Sequence, residues 1–354
     1  MVNKVTMQQI ADHLGVSKFA VSKALSGKPG GVSAETRDKI VSVATQLGYF
    51  VNKQTKTTSK RNKPVSVNTN TRDTVILLVP KVRYQTRDSY FWGRIIDGIT
   101  EELADRDISA LVVTEYFKDN FSNLINPSGV LGIIGVGFIA SKMLLEIRNL
   151  GIPFVLVDHE DPLIPSDVLF MNNVECTRRV TNYLIGCGHS KLQFVGNTRY
   201  ARSFIDRYNG YRTMMEEHGL ALNQEEGLIS FEGENRSEMT EALEAIVKEL
   251  INEQRLPTAF VCANDSIAIC MMTVLGKLSV QVPEQCSVTG FDNIQDAEWA
   301  KPALSTVNVQ KEALGRRAVE MLLRRLDHPD NLQEKVLLAG EFIIRESTAL
   351  KKGG

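Results

Sequence analysis

The sequence predicts an α/β protein in which a two-lobed core, built from two doubly wound parallel sheets, follows a small all-α unit. Three observations predict it. From residue 74 onward short apolar, β-rich runs alternate with amphipathic helical stretches, the pattern of parallel sheet. The first fifty or so residues show helical periodicity and capping signals instead. Between the two lies a stretch almost free of large apolar side chains, which cannot bury a core.

In the N-terminal unit Thr6 can cap a first helix whose inner face carries Ile10, Ala11 and Leu14. Gly15 can take positive φ and end that helix, Val16 plugs the turn, and Ser17 is a ready cap for a second helix through about Ser26. Ala20, Val21, Ala24 and Leu25 mark the inward side of this second helix, leaving Lys18, Phe19, Ser22 and Lys23 to face outward. Ser33, followed by Glu35-Thr-Arg, starts a third helix whose Ile40, Val41, Val43, Ala44 and Leu47 can close a three-helix core. Two short helices joined by a glycine turn form a helix-turn-helix, the arrangement that lays its second helix in the major groove of DNA. Charge agrees, because residues 1–63 hold 11 Lys/Arg against 3 Asp/Glu whereas the remainder holds 30 against 39. Such an asymmetry suits phosphate binding by the first unit alone, with a solvated or targeting tail as the bland alternative.

Val5-Thr-Met, Ile10-Ala, Gly15-Val-Ser, Val21-Ser-Lys-Ala-Leu, Val32-Ser-Ala-Glu-Thr-Arg and Leu47-Gly-Tyr together resemble the headpiece of the LacI/GalR, or lactose-repressor, family of transcriptional regulators. The resemblance implies that Lys18, Phe19 and Lys23 read base edges, and that Thr6, Ser17, Ser22 and Asn52 hold phosphates. The chemistry fits: lysine donates to guanine, phenylalanine meets a thymine methyl, and hydroxyls and amides position the backbone. The sequence departs from the family at Lys23, where arginine is usual, and one ammonium lacks the fork that reads guanine. The family's Tyr-Arg-Pro-Asn is Tyr49-Phe-Val-Asn52 here, and its hinge-helix Ala-x-x-Leu is Thr55-Lys-Thr-Thr58. A wedge leucine that kinks the duplex is thereby missing, so weaker DNA bending is expected than in hinge-helix relatives. The headpiece is placed at 1–58 and a flexible polar linker at 59–73, where Lys60, Arg61 and Lys63 can add salt-sensitive phosphate contacts.

In the larger unit, 74–350, strands are read at Val75–Val79, Ala110–Val113, Gly132–Val136, Phe154–Val157, Leu192–Val195, Ala259–Cys262 and Ser287–Gly290. Helices fall between them at 89–105, 174–186, 206–218, 237–252 and 265–276. The same resemblance runs through Gly188-His-Ser-Lys, Arg207-x-x-Gly-Tyr, Ala263-Asn-Asp265, Val288-Thr-Gly-Phe-Asp-Asn293 and Arg345-Glu-Ser-Thr. It implies a periplasmic-binding-protein-like core with a ligand cleft at the strand carboxyl ends, and a chain that crosses between lobes three times. The first lobe is placed at about 74–171 and 308–336, the second at 172–305 and 337–350.

By that resemblance Arg207 and Asp292 face each other across the cleft with Asn264 nearby, and Tyr90, Phe91 or Trp92 form an apolar wall. Carboxylate and guanidinium match vicinal hydroxyls and an aromatic face covers a sugar's C–H side, so a sugar or sugar derivative is the expected effector. Arg207 and Asp292 as a structural ion pair is the alternative. Asp158, at a strand end, is a further candidate, although such a residue often only caps. Asn172-Asn173 stands in place of the usual Asp-Asn. The partners implied are a pseudo-palindromic double-stranded operator, a homodimer to span its half-sites, and the small effector. No cofactor or metal site is read.

One rival is a dehydrogenase using NAD(P), because Gly135-Val-Gly-Phe-Ile-Ala140 is a G-x-G-x-x-A with Asp158 further on. It is not the first βαβ unit of its lobe, which argues against that reading. A second rival is a cytosolic sugar-binding protein that ignores DNA. No Gly-x-Ser-x-Gly elbow, His-Glu-x-x-His helix or P-loop lysine appears, so an enzyme is not expected. Five scattered cysteines without Cys-x-x-Cys spacing read as buried thiols. The N-terminus lacks a secretion signal's apolar stretch and no run is long enough to span a bilayer, so the expected location is the cytoplasm.

Overall fold

The computed structural model describes residues 6–25, 33, 36, 39–40, 43, 74–79, 91–114, 127–233 and 235–351. Asn52, Thr58, the linker 59–73, Tyr90 and most of the third helix lie outside the described residues. The chain divides into two compact units, Met1–Asn70 and Thr71–Gly354.

In the first unit, α1 (Met7–Leu14) opens with a reciprocal cap: Thr6 Oγ1 accepts from the Gln9 amide, and Gln9 Oε1 accepts from the Thr6 amide at 2.8 Å. Gly15, at φ 64°, ends it in the left-handed region. Helix α2 (Lys18–Leu25) starts from Ser17, whose Oγ accepts from the Ala20 amide at 3.1 Å. Ser33 Oγ likewise accepts from the Thr36 amide at 3.2 Å, ahead of helical residues 39, 40 and 43. Ile10, Ala11, Val21 and Ile40 form the buried centre, with Met7, Leu14, Val16, Ala20 and Val43 packed around it.

The second unit contains two sheets. The first has order β10-β5-β4-β3-β1-β2, with every pair parallel. Its strands are β1 (Thr74–Leu78), β2 (Ser109–Val113), β3 (Val130–Val136), β4 (Phe154–Val157), β5 (Asp167–Met171) and β10 (Lys335–Leu338). Its helices are α3 (Trp92–Ala104), α4 (Ser141–Asn149) and α11 (Lys311–Asp327). The second sheet has order β11-β9-β8-β7-β6, parallel except for β11 against β9. Its strands are β6 (Leu192–Val195), β7 (Ala259–Cys262), β8 (Ser287–Asp292), β9 (Ser305–Asn308) and β11 (Glu341–Ile343). Helices α5 (Asn173–Gly186), α6 (Arg202–Glu217), α7 (Glu226–Ser230), α8 (Arg236–Asn252), α9 (Asp265–Lys277) and α10 (Gln295–Trp299) belong to it. These sheets are the two lobes, and the chain passes between them after β5, β9 and β10. Strands buried on both faces, such as β1 and β7, read as continuous apolar runs for that reason.

Strands β5, β9, β10 and β11 were not among those read from the sequence, and among the bounds that differ are two lobe boundaries and one helix start. The first lobe runs to Leu338, not 336, because β10 pairs with β5 from Lys335 opposite Val168 to Leu338 opposite Met171. The second lobe runs to Asn308, not 305, because β9 pairs with β8 as far as Asp292 opposite Asn308. Helix α6 begins at Arg202, four residues before the predicted 206.

Helices α3 and α11 cross at glycines: a Cβ at Gly98 would run into the Glu312 carbonyl, and one at Gly315 into the Ile95 carbonyl. The C-terminal tail is bonded along the second lobe. Ser347 Oγ donates to the Val288 carbonyl at 2.6 Å, His189 Nε2 donates to the Ala349 carbonyl at 3.1 Å, and the Lys351 amide donates to the Cys187 carbonyl at 2.9 Å. All five cysteines are free thiols, four of them buried. Among the described residues no helix is long and apolar enough to cross a membrane, and no cluster of His, Cys, Asp or Glu could hold a metal ion.

Candidate functional site

Two surfaces carry the chemistry. On the first unit, packing of Val21 and Ala20 into the core turns the other face of α2 outward. Lys18, Ser17 and Ser22 are exposed, and Phe19 keeps 70% of its surface in water. Lys23 is partly covered, its Nζ 5.5 Å above the Phe19 ring. The outward face of α2 thus carries an exposed aromatic ring flanked by Lys18 and Lys23. Thr6 is also exposed, although its hydroxyl is engaged in the α1 cap.

The second surface is the cleft between the lobes. Arg207, 4% exposed, projects from α6 and its planar group lies 3.7 Å from the Phe291 ring centroid. Its Nε donates to Asn173 Oδ1 at 2.9 Å, Nη1 to the Ala263 carbonyl at 2.6 Å and Nη2 to Asp292 Oδ1 at 3.4 Å. Three of its five N–H groups are so engaged. Asp292, at the end of β8, has φ 111° and the next residue, Asn293, φ 51°. Two successive non-glycine residues in the left-handed region cost energy and persist only where the surroundings hold them, a frequent mark of functional sites. Burial holds the Asp292 carboxyl above the usual carboxylate range, against the pull of Arg207 and Lys311.

From the other lobe Asp158, just past β4 and at φ 55°, reaches the same place. Ser203 Oγ donates to its Oδ2 across the cleft at 3.4 Å, and beside it Arg202 and Glu160 pair at 3.5 Å. Burial pushes the Asp158 carboxyl up to about 7, with Arg207 opposing the shift and Asp292 adding to it. The structure therefore brings Asp158, Arg207 and Asp292 together. Asn264 is adjacent but committed to capping α9, its Oδ1 accepting from the Ile267 amide at 2.9 Å. Phe91 and Trp92 meet edge to face at 4.9 Å, and the Trp92 ring lies over Gly137, which stands in the left-handed region. The Gly137 amide donates to the Val157 carbonyl, so this aromatic wall directly adjoins Asp158.

The wall bears on the glycine motif at 135–140. Its middle glycine, Gly137, is the position where a pyrophosphate would need close backbone approach, and the indole occupies that approach. Four contributors were not singled out from sequence: Ser203, Phe291, Asn173 as the partner of Arg207, and Lys311, whose Nζ donates to the Asp292 carbonyl at 2.6 Å. Only Asn173 had a local signal, as half of the Asn172-Asn173 pair.

A helix-turn-helix unit joined to a two-lobed cleft lined by a guanidinium and two carboxylates defines a ligand-responsive DNA-binding regulator. Residues 6–52 match the family model for bacterial regulatory proteins of the lacI family, and residues 181–348 match that for a periplasmic binding protein-like domain. The chain thus carries a lacI-family helix-turn-helix domain followed by a periplasmic-binding-protein-like domain. It is 27% identical to the HTH-type transcriptional repressor PurR of Haemophilus influenzae, over 97% of this chain and 98% of the relative. It is 26% identical to the probable HTH-type transcriptional repressor ExuR of Bacillus subtilis at the same coverage. Among solved structures, a complex of the transcriptional regulator CelR with cellobiose superposes with TM-score 0.67 at 22% identity, covering 97% of this chain and 99% of that one. The lac repressor dimer bound to operator and the anti-inducer ONPF gives 0.65 at 18%, covering 98% and 100%.

Proposed function

We propose that this protein is a sequence-specific DNA-binding transcriptional repressor, and not an enzyme, whose operator affinity is set by a small sugar-like effector held between the lobes. The observation that carries this reading is the outward face of α2, where Lys18 and Phe19 stand in water while the opposite face is packed. A homodimer places two such faces on a pseudo-palindromic operator. In the cleft Arg207 offers N–H donors, Asp292 and Asp158 offer acceptors, and Phe91 and Trp92 cover an apolar face, a set suited to vicinal hydroxyls. The relatives support it: they are named as repressors, and the CelR structure holds cellobiose. Selection of bound DNA from a random pool, repeated with a panel of sugars and amino sugars, tests it. An enriched pseudo-palindrome that one sugar releases or tightens is expected; no enrichment in low salt would refute the proposal.

Two further outcomes follow from named groups. Phe19→Ala and Lys18→Ala are each expected to weaken binding to the selected operator by about 1–3 kcal/mol and to relax preference at one base position. Fluorescence anisotropy on single-base operator variants checks this, and a uniform loss across all variants would demote the residue to backbone contact. The second outcome concerns pH. The Asp158 carboxyl accepts hydroxyl protons at both oxygens, and with full charge, only when ionised, and its pKa stands at about 7. Effector affinity should therefore rise as pH is raised through neutrality and fall as the group is protonated below it. Asp158→Asn should bind more weakly at pH 8 and lose that slope, as calorimetry from pH 6 to pH 8 would reveal.

A further inference from the structure

The strained turn that presents Asp292 is anchored almost entirely from its own lobe. The Asn293 amide donates to Thr306 Oγ1 at 3.4 Å and the Ile294 amide to Asp265 Oδ2 at 2.8 Å. Asp265 is fully buried and accepts a second bond from the Thr306 hydroxyl. The Asn293 side chain bridges Asn308, at 3.0 Å, and Arg345, at 2.8 Å. All of these residues lie on the second lobe.

The carbonyl side of the turn is held differently. Lys311 is the first residue of α11 on the first lobe, three residues past the β9 crossing. Its ammonium, 7% exposed, donates to the Asp292 carbonyl at 2.6 Å, to the Asn293 carbonyl at 3.1 Å and to the Val309 carbonyl at 3.2 Å. Three acceptors match its three N–H groups, and none of the three is a carboxylate. A buried cation satisfied by carbonyls loses two of its three bonds, those to Asp292 and Asn293, if the turn moves away from α11, so the arrangement resists that motion. Helix α11 is locked in turn to α3 by the Gly98 and Gly315 crossing, and α3 begins at Trp92 in the cleft wall.

We propose that Lys311 is the interlobe positioning residue of the effector site: it ties the Asp292 turn to the first lobe, so that the turn and α11 move together when the cleft opens. This extends the assignment of Asp292 as an effector contact, and the test below needs no effector, so its failure leaves that assignment standing.

Hydrogen exchange of the unmodified full chain is the first measurement. The Asn293 and Ile294 amides and the first hydrogen-bonded amides of α11, at Leu314 and Gly315, should share one opening event, with protection that agrees within about threefold and responds alike to mild denaturant. Protection differing by tenfold or more, with different denaturant dependence, would overturn the tie. The second measurement compares wild type with Lys311→Met by double electron–electron resonance. Spin labels go on Asn149→Cys in α4 and Asn252→Cys in α8, in a Cys187→Ser background that removes the half-exposed thiol. Lys311→Met should broaden and lengthen the interlobe distance distribution and speed exchange of the 293–294 amides by about tenfold, the loss expected for a hydrogen bond to a charged group. Ser203→Ala, which removes a different cross-cleft bond, should leave those amides unchanged. A folded Lys311→Met protein with the wild-type distribution would refute the proposal, and should the variant not fold, the exchange result on the unmodified chain decides.

Discussion

Arg207→Ala is expected to abolish the response to effector while leaving operator binding without effector intact. The substitution removes the guanidinium's N–H donors and strips Asp292 of its side-chain partner, leaving a buried carboxylate uncompensated. Hydrogen bonds to charged groups and buried ion pairs of this kind carry about 3–5 kcal/mol together, roughly a 100-fold to 5,000-fold loss of affinity. Arg207→Lys keeps the charge but cannot span Asn173, Ala263 and Asp292 at once, nor stack flat on Phe291, so it should recover only part. Titration calorimetry with the sugar found by DNA selection gives the answer. If the alanine variant bound that sugar within threefold of wild type, Arg207 would be a structural residue only.

The largest stability effect should come from Gly98→Val. Its side chain would meet the Glu312 backbone carbonyl, which cannot swing aside as a side chain can, so α3 and α11 must separate. Overpacking of this severity costs about 3 kcal/mol, roughly 6–12 °C in Tm for a unit of this size. Gly315→Val, approaching the same crossing from the other helix, should cost a similar amount, and the double variant less than the sum because both relieve the same contact. Calorimetric scans of the single and double variants measure this. A shift under 2 °C for Gly98→Val would mean that the crossing is looser than its geometry indicates.

Much of this architecture was legible because the relevant signals are local. The cap residues Thr6 and Ser17 and the glycine at 15 fix helix ends through bonds three or four residues long, and β1, β3 and β4 are apolar runs buried in parallel sheet. Strands β9, β10 and β11 are four, four and three residues long and take their places from partners far along the chain, as Lys335 does from Val168. Periodicity carries no record of such pairings, so the lobe boundaries moved by two or three residues. At the site, Arg207, Asp292 and Asp158 were found through family resemblance, and the residues that hold them were not. Phe291 reads as an ordinary core residue and Lys311 as an ordinary helix start, yet one stacks on Arg207 and the other grips the Asp292 turn. Their roles arise from tertiary proximity across 84 and 19 positions of the chain. Asn264 fits two readings at once, since the motif that pointed to a ligand contact also describes a helix cap.

The last strands have a bearing on biosynthesis. Edge strand β10 completes one sheet and edge strand β11 the other, and they are separated by two residues near the C-terminus. Neither lobe can complete its sheet before residues 335–343 have emerged from the ribosome, so both are completed at nearly the same moment. A stop codon placed at position 335 would leave both halves of the effector domain unfinished at once, whereas the headpiece, which precedes them in the chain, would still be free to fold.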